Sequence, residues 1–329
     1  MINLYIENTE RIIRNTKLIK SDILDLEKNP NKEIYLNFFK FCFENLELQS
    51  SKFGIEPSYF FYMVKENYIN AGATCHEGDY IIHISEEFIS KLFEKLNSNK
   101  LLFENDRLIK YKILSKSINT DLIDIIFQSS TIFTYYHEFA HLVQKKGRNF
   151  DLNETIGNFD LFIPENHILE YDADLNGSQF VFGHISDFYE NLEIENRNTE
   201  NLKTLLPIAL SGILITFLLL YNREFDKVKI IDEFYLDKKT HPHTIIRISY
   251  IIQHYQGIAK ENGVEIELVE LLKETFLICE IFFNSNSFVK DCFNILENNL
   301  NEINNYNNLL FDEANKNNNL IMHKINKNK

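Results

Sequence analysis

The chain has few cysteines and fewer basic than acidic residues. Both features limit the kinds of site and partner that we expect. Cys42, Cys75, Cys279 and Cys292 are far apart in the 329-residue sequence and form neither a zinc clip nor a redox pair, so we expect reduced thiols. Lysine and arginine number 34 against 48 acidic residues, a formal net charge of −14. Because nucleic-acid binding normally needs a basic face, this charge argues against such a partner and favours a protein or peptide substrate.

The sequence also lacks a secretory signal and internal repeats. Its N-terminal residues have no uninterrupted apolar core or small-residue cleavage site, which predicts a cytoplasmic location. One stretch, Leu205–Tyr221, carries no charge and reaches the lower length limit for crossing a bilayer. A short membrane span and a fully buried helix have the same composition. We expect the buried helix, and therefore no membrane partner, because the stretch is isolated in a polar chain.

The most informative motif is HExxH, formed by His137, Glu138 and His141. On a helix, positions i and i+4 lie one turn apart on the same face, so the two imidazoles can bind a single Zn²⁺. Glu138 would then lie beside the open coordination position as general base. Apolar residues recur at three- and four-residue intervals from Asp121 to Val143, which predicts a buried helix around the motif.

A catalytic zinc ion needs a third protein ligand, and the segment after Pro164 offers one. Proline suits the first turn of a helix, and on that helix Glu170 and Asp174 share a face. We predict Glu170 as the third ligand and Asp174 as the acceptor that fixes a histidine tautomer. His167 and Asp174 are the alternative ligands. Ala173 and Gly177 are small enough to let the two helices approach, and Asp172 is predicted to be a solvated charge.

The remaining pattern predicts an α+β fold that is predominantly helical. Apolar clusters over 34–46 and 59–64 indicate core helices. Residues 70–85 form two short extended runs around a Glu-Gly-Asp turn, which predicts an antiparallel hairpin. We divide the chain into an N-terminal helical region (1–65), a peptidase core (66–255), C-terminal helices (256–314) and a flexible tail (315–329).

These blocks resemble the gluzincin metallopeptidases. HEFAH at 137–141 is followed by E-x-x-x-D at 170–174, and both are similar to the zinc-binding motifs of that group. Asn70-Ala71 ahead of a hairpin and THPHTIIRI at 240–248 are similar to features of its compact members. YYHEFAHLVQ with ENHILEYDADLNG resembles the phage-exclusion (Lit-like) peptidases, a cytoplasmic bacterial group. The resemblance covers roughly residues 70 to 247.

The resemblance implies a zincin-like core that holds one Zn²⁺ and cleaves a peptide bond in a specific protein. It also implies a role in phage defence, in which that protein is a host translation factor. It implies that Asn70 and Ala71 contact substrate on an edge strand and that Arg247 lies close to the site. His241 is our candidate donor to the oxyanion of the tetrahedral intermediate. Tyr135 and Tyr136 are alternative donors, and His241 with Pro242 would otherwise serve only to turn the chain.

Other functions and other metals stay open at this stage. The site could be a structural or regulatory zinc site without proteolysis, although structural zinc needs no adjacent base such as Glu138. An integral membrane peptidase would use Leu205–Tyr221 as its anchor. Mn²⁺, Co²⁺ or Fe²⁺ could occupy the same ligands as Zn²⁺. The hairpin at 70–85 could be purely structural rather than a substrate-binding edge.

Overall fold

The computed structural model describes residues 1–65, 69–76, 78–146, 162–222, 233–284, 287–318 and 320–322. These residues are mostly helical and include one small sheet, which confirms the predicted predominantly helical α+β class. The strands are β1 (Ser58–Met63), β2 (Ala71–His76) and β3 (Asp79–Ser85). The helices are α1 (Ile2–Asn15), α2 (Lys32–Phe53), α3 (Glu86–Ser98), α4 (Ile109–Ile118), α5 (Leu122–Lys145), α6 (Pro164–Glu190), α7 (Thr199–Asn222), α8 (Thr244–Glu261), α9 (Leu268–Phe282), α10 (Ser287–Asn298) and α11 (Leu300–Lys316).

The sheet has the strand order β1-β3-β2. Strands β2 and β3 pair antiparallel, with Ala71 opposite Ile84, so the predicted hairpin is confirmed. Strand β1 lies parallel to β3 on its other side, with Ser58 opposite Tyr80. This order leaves β2 at an edge of the sheet, where it packs beside α5.

Strand β1 corrects our prediction of a helix over 59–64. A short apolar run fits a buried strand as well as a buried helix, because periodicity cannot separate the two. Two local features favour the strand: Pro57 precedes it, and four of its six residues are Tyr or Phe, which have high strand propensity. Since β1 pairs with β3, the sheet joins residues on both sides of the boundary that we drew at 65/66.

Helices α5 and α6 form the centre of the fold and pack closely against each other. Asp121 caps α5 by accepting a hydrogen bond from the backbone of Ile123, and Pro164 occupies the first turn of α6. A Cβ at Gly177 would lie 2.8 Å from the ring of Phe133 and 3.0 Å from its carbonyl oxygen. Glycine is therefore needed for the approach of the two helices. A cationic last turn at Lys145 and Lys146 followed by Gly147 predicts that α5 ends there, and Gly147 lies outside the described residues.

The apolar stretch 205–221 lies within α7, which packs against α5 and α9. It is the one helix among the described residues with the length and composition of a membrane span, and 83% of its apolar window is buried inside the protein. Gly212 brings it close to α5, because a Cβ there would lie 2.7 Å from the carbonyl oxygen of Ile126. The protein itself therefore buries α7, as we expected.

The segment that we predicted as a flexible tail, 315–329, includes residues that pack against the rest of the fold. Helix α11 continues to Lys316, and the side chains of Leu320 and Ile321 are fully buried. Two buried aliphatic residues supply enough apolar burial to fix a short segment despite its polar surroundings. Residues 319 and 323–329 lie outside the described residues.

Candidate metal centre

Helices α5 and α6 bring His137, His141 and Glu170 together. One ligand atom from each side chain lies within 4.8 Å of the others. Nε2 of His141 is 3.1 Å from Nε2 of His137 and 3.3 Å from Oε1 of Glu170, and Nε2 of His137 is 3.6 Å from Oε2 of Glu170. The three side chains are 12%, 17% and 9% exposed, so little water reaches them. Together they form a group that can hold a metal ion.

The outer nitrogen of each imidazole faces an acceptor, and this determines the tautomers. Nδ1 of His137 lies 2.9 Å from Oδ1 of Asp174, although its N–H is not aimed straight at that oxygen. Nδ1 of His141 lies 2.8 Å from Oε1 of Gln144. Protons on both Nδ1 atoms satisfy these acceptors, which leaves the two Nε2 lone pairs directed toward each other.

Two lone pairs 3.1 Å apart, with a carboxylate beside them, repel one another unless a cation lies between them. Two nitrogens that bind one tetrahedral Zn²⁺ at about 2.05 Å stand about 3.3 Å apart, close to the observed separation. A ligand set of two imidazoles and one carboxylate is also one that zinc accepts in catalytic sites. The residues present therefore fit a zinc ion.

Glu170 is ionised and incompletely hydrogen-bonded. Burial alone would raise its pKa, but His241, Arg247 and His141 outweigh burial and hold the pKa well below its usual range. Nη2 of Arg247 lies 3.0 Å from Oε2, yet no N–H points at that oxygen, which has no hydrogen-bond donor among the described residues. A buried carboxylate oxygen without a donor is costly unless a metal binds it.

Asp174 is held by two side chains of α8. Arg247 binds it through two hydrogen bonds of 2.8 Å, from Nε to Oδ2 and from Nη2 to Oδ1. Tyr250 donates to Oδ2 at 2.5 Å. Burial alone would raise the pKa of Asp174, but Arg247 outweighs it and lowers the pKa. Asp174 is therefore a fixed anion behind His137, which is the position that its predicted role requires.

The charges of this cluster are unbalanced without a cation. Glu170 and Asp174 supply two negative charges, and Arg247 supplies one positive charge. Burial disfavours the imidazolium form of His141, but the Glu170 carboxylate outweighs burial and raises the pKa of His141 to about 9. A proton on His141 therefore takes the place of a metal ion at neutral pH in the metal-free protein.

Glu138 lies on the same helix next to the ligand group but has a different environment. Its carboxylate is buried and makes no hydrogen bond or ion pair with the described residues. Burial raises the pKa of Glu138, and the neighbouring His137 and His141 only partly oppose this shift. The group is therefore able to take up and release a proton near the metal ligands, as a general base must.

The loop that precedes α8 brings His241 to the site. Its Nε2 lies 3.4 Å from Oε1 of Glu170, and Oγ1 of Thr240 lies 3.0 Å from its Nδ1. His167 holds the loop, because its Nε2 donates to the carbonyl of Lys239 and its Nδ1 lies 2.8 Å from the hydroxyl of Tyr306. Both ring nitrogens of His167 are thus engaged away from the ligand group, so His167 is not the third ligand.

The two tyrosines that we considered as alternative donors do not reach the site. The hydroxyl of Tyr135 donates to the carbonyl of Cys42 at 3.3 Å. The hydroxyl of Tyr136 donates to Oδ1 of Asn45 at 2.6 Å, and its ring stacks on Phe180. Both side chains pack into the core on the side of α2, because their positions on α5 point away from the histidine face.

Asn70 and Ala71 lie where the edge strand β2 begins. The backbone of Asn70 faces β3, since its carbonyl accepts from the N–H of Ser85 at 2.8 Å. Alternation along an antiparallel ladder then turns the backbone groups of Ala71 and Ala73 to the open edge. Lys145 supports this assignment, because its Nζ donates to the carbonyl of Ala73. The structure thus places Ala71, rather than Asn70, with its backbone toward the open edge.

Three residues around the site escaped the sequence analysis or were misjudged there. Gln144 and Tyr250 were not considered, although each lies three residues after a motif residue on the same helical face, after His141 and after Arg247. Asp172 is not a solvated charge as predicted, because it is fully buried and accepts a hydrogen bond from Nε2 of Gln144 at 2.7 Å.

Replacing Glu170 by alanine removes one of the three side chains that can hold a metal ion. We expect zinc affinity to fall by more than the roughly 10- to 100-fold that changes around ligands cause. Competition with a chromophoric chelator on dialysed protein measures this loss. Glu190→Ala, at the exposed end of the same helix, is the matched control. Unchanged affinity of Glu170→Ala would place the third ligand elsewhere.

Metal binding should release a proton at neutral pH. Because the pKa of His141 is raised to about 9 in the metal-free protein, the imidazole carries a proton below that pH, and the metal must displace it. Apparent affinity should therefore rise about tenfold per pH unit from about pH 7 and level off near pH 9. Calorimetry in buffers of different ionisation enthalpy counts the released protons. A count near zero at pH 7 contradicts the assignment.

Similarity to known proteins does not add to these observations. The chain was compared with models of protein families, with curated proteins and with solved structures, and none of the three comparisons gives a match. A functional argument therefore has to be made from the geometry and chemistry of the metal centre itself.

Proposed function

We propose that this chain is a zinc-dependent endopeptidase of the gluzincin type that cleaves a specific protein substrate. One observation carries the proposal: two imidazole nitrogens and one carboxylate converge on a point that needs a cation, and an unpaired glutamate lies beside them. Three ligands are the number that a catalytic zinc site uses, whereas structural zinc sites have four. The zincin-like core and the ion's identity are part of this proposal.

His137, His141 and Glu170 would hold the zinc ion. When bound, zinc supplies Lewis-acid chemistry, which activates a water molecule and polarises a substrate carbonyl. Asp174 and Gln144 keep both imidazoles in the tautomer that presents Nε2 to the ion. Arg247 keeps Asp174 ionised and in place from α8, and so acts on the ligands through another residue.

Glu138 would move the proton. It takes a proton from the attacking water and delivers it to the amine that leaves when the peptide bond breaks. Its buried environment suits both steps, because a raised pKa brings the proton affinity of the carboxylate closer to neutral pH. A structural or regulatory zinc site has no need for an unpaired buried carboxylate, so this residue favours catalysis over a non-proteolytic role.

His241 would stabilise negative charge on the substrate carbonyl oxygen. When the Thr240 hydroxyl donates to Nδ1, the ring carries its proton on Nε2, the nitrogen that faces the site. The side chain is 37% exposed, so it stands at the boundary between solvent and the metal ligands, where a substrate enters. A donor at this place fits the predicted role.

The open edge of β2 would bind the substrate. It runs beside α5, and an extended peptide can pair with the outward backbone groups of Ala71 and Ala73. The carbonyl of Ala73 already accepts a hydrogen bond from Lys145, and its second lone pair can accept one from a peptide N–H.

The resemblance to phage-exclusion peptidases extends the proposal to a cytoplasmic role in phage defence, in which the substrate is a host translation factor. A membrane-anchored peptidase is less well supported, because α7 would be its anchor and the protein itself buries this helix. The acidic net charge supports a protein substrate rather than nucleic acid.

Glu138→Gln separates metal binding from catalysis. The variant keeps the size of the side chain and all three ligands but cannot accept a proton, so we expect bound zinc to be retained and cleavage to fall by about 10²- to 10⁴-fold. Mass-spectrometric mapping of new N-termini in cells that express the active or the variant chain identifies substrates at the same time. Asp124→Asn, exposed on the same helix, is the control.

Two outcomes of this mapping are decisive. New N-termini that appear with the wild-type chain and with Asp124→Asn, but not with Glu138→Gln, support the peptidase. If Glu138→Gln binds zinc and yields the same N-termini as the wild type, Glu138 is not the base.

Ala71→Pro tests the edge strand. Proline removes an outward N–H but leaves the hydrogen bonds of β2 with β3 intact, so the sheet should keep its stability. The loss of one backbone hydrogen bond to substrate, worth about 1 kcal/mol, should lower kcat/KM by about fivefold on a peptide that spans the mapped cleavage site. Ala71→Val retains the N–H and should cleave normally. Equal kcat/KM for the two variants argues against pairing at Ala71.

A further inference from the structure

Residues 320–322, which we call the C-terminal segment, dock against α6 close to the metal centre. Leu320 and Ile321 are fully buried there. The backbone N–H of Ile321 donates to Oδ2 of Asp172 at 2.9 Å, and that of Met322 donates to Oδ1 at 3.1 Å. A segment more than a hundred residues away in sequence therefore holds an acidic side chain that is flanked by the predicted ligand Glu170 and by Asp174.

Asp172 depends on these two N–H groups. It is fully buried, and its third hydrogen-bond donor is Nε2 of Gln144 at 2.7 Å. No arginine or lysine pairs with it among the described residues. A buried carboxylate without a cationic partner is tolerated only when several donors satisfy it. The C-terminal segment supplies two of its three donors.

Gln144 transmits this arrangement to the metal ligand His141. Nε2 of Gln144 donates to Oδ2 of Asp172 and to the carbonyl of Leu169 at 3.0 Å. Two acceptors on one side settle the orientation of the amide, so Oε1 faces Nδ1 of His141. That contact requires the proton on Nδ1 and leaves Nε2 available to a metal ion. The amide orientation therefore depends on a correctly placed Asp172.

We infer that docking of the C-terminal segment positions His141 for metal binding, with Asp172 and Gln144 as the positioning residues between them. The inference rests on the proposed zinc site and adds a connection that the HExxH motif does not contain. When the segment leaves, Asp172 loses two donors, and water takes their place. The Gln144 amide then loses the acceptor that fixed it, and His141 loses its preferred tautomer.

Linkage makes the effect reciprocal. If docking raises zinc affinity by some factor, zinc must favour docking by the same factor. The metal centre and the C-terminal segment then stabilise each other through Asp172 and Gln144. A purely structural role for the segment would affect folding without this reciprocity.

The first arm of the test compares two full-length variants at one position. Ile321→Pro removes the N–H that Asp172 accepts, whereas Ile321→Ala keeps this N–H and removes more of the buried side chain. We expect zinc affinity to fall about tenfold or more in Ile321→Pro and in Asp172→Asn, and to change little in Ile321→Ala. Competition with a chromophoric chelator gives the dissociation constants.

The second arm uses the wild-type chain, so its result does not depend on whether a variant folds. Hydrogen exchange of the Ile321 and Met322 amides is followed by mass spectrometry with and without zinc. When zinc is added, hydrogen exchange at these two amides should slow. The factor should equal the factor by which Ile321→Pro lowers zinc affinity. Exchange in α1, which is distant in the fold, serves as the internal control.

The outcomes separate this inference from the proposed function. A wild-type chain that binds no zinc at all refutes the metal centre itself. If the wild type binds zinc, but Ile321→Pro and Asp172→Asn bind it equally well and exchange at residues 321–322 is unaffected by zinc, the coupling is refuted while the metal centre stands.

Discussion

The candidate metal centre depends on one electrostatic constraint. Three electron-pair donors from two helices face a common point, and only a proton or a metal ion between them can offset their repulsion. His137, His141 and Glu170 can converge in this way only because α5 and α6 approach closely at Gly177. The surrounding residues then serve to keep the donors in place. Asp174, held by Arg247 and Tyr250, fixes one imidazole, and Gln144 fixes the other.

Helix α6 carries three acidic residues at alternate positions, and each has a different environment. Glu170 faces the histidines, Asp174 faces the guanidinium of Arg247, and Asp172 faces backbone N–H groups of the C-terminal segment. On a helix, positions i and i+4 share a face, whereas i+2 lies on nearly the opposite side. The same geometry therefore sends two of the carboxylates to the site and the third to a different part of the protein.

The sequence predicts those parts of the site whose interacting residues are close together in the chain, and it does not predict those whose partners are far apart. The spacing of HExxH and of E-x-x-x-D is enough to predict which side chains share a helical face, and the hairpin follows from its turn residues. The surroundings of Asp172 could not be predicted, because its partners come from residues 321 and 322, far along the chain. Strand β1 was missed because a short aromatic run has no periodicity that separates strand from helix, and its pairing with β3 is not local.

The edge strand β2 has a consequence beyond its proposed role in substrate binding. An uncovered strand edge invites two copies of a protein to join into a continuous sheet, which is a common route to aggregation. In the part of the chain that the structure describes, the ammonium group of Lys145 donates to the carbonyl of Ala73 in the middle of that edge, and a charged lysine at a strand edge disfavours the addition of a second copy. The position of Lys145 at the end of α5 therefore disfavours self-association through this edge.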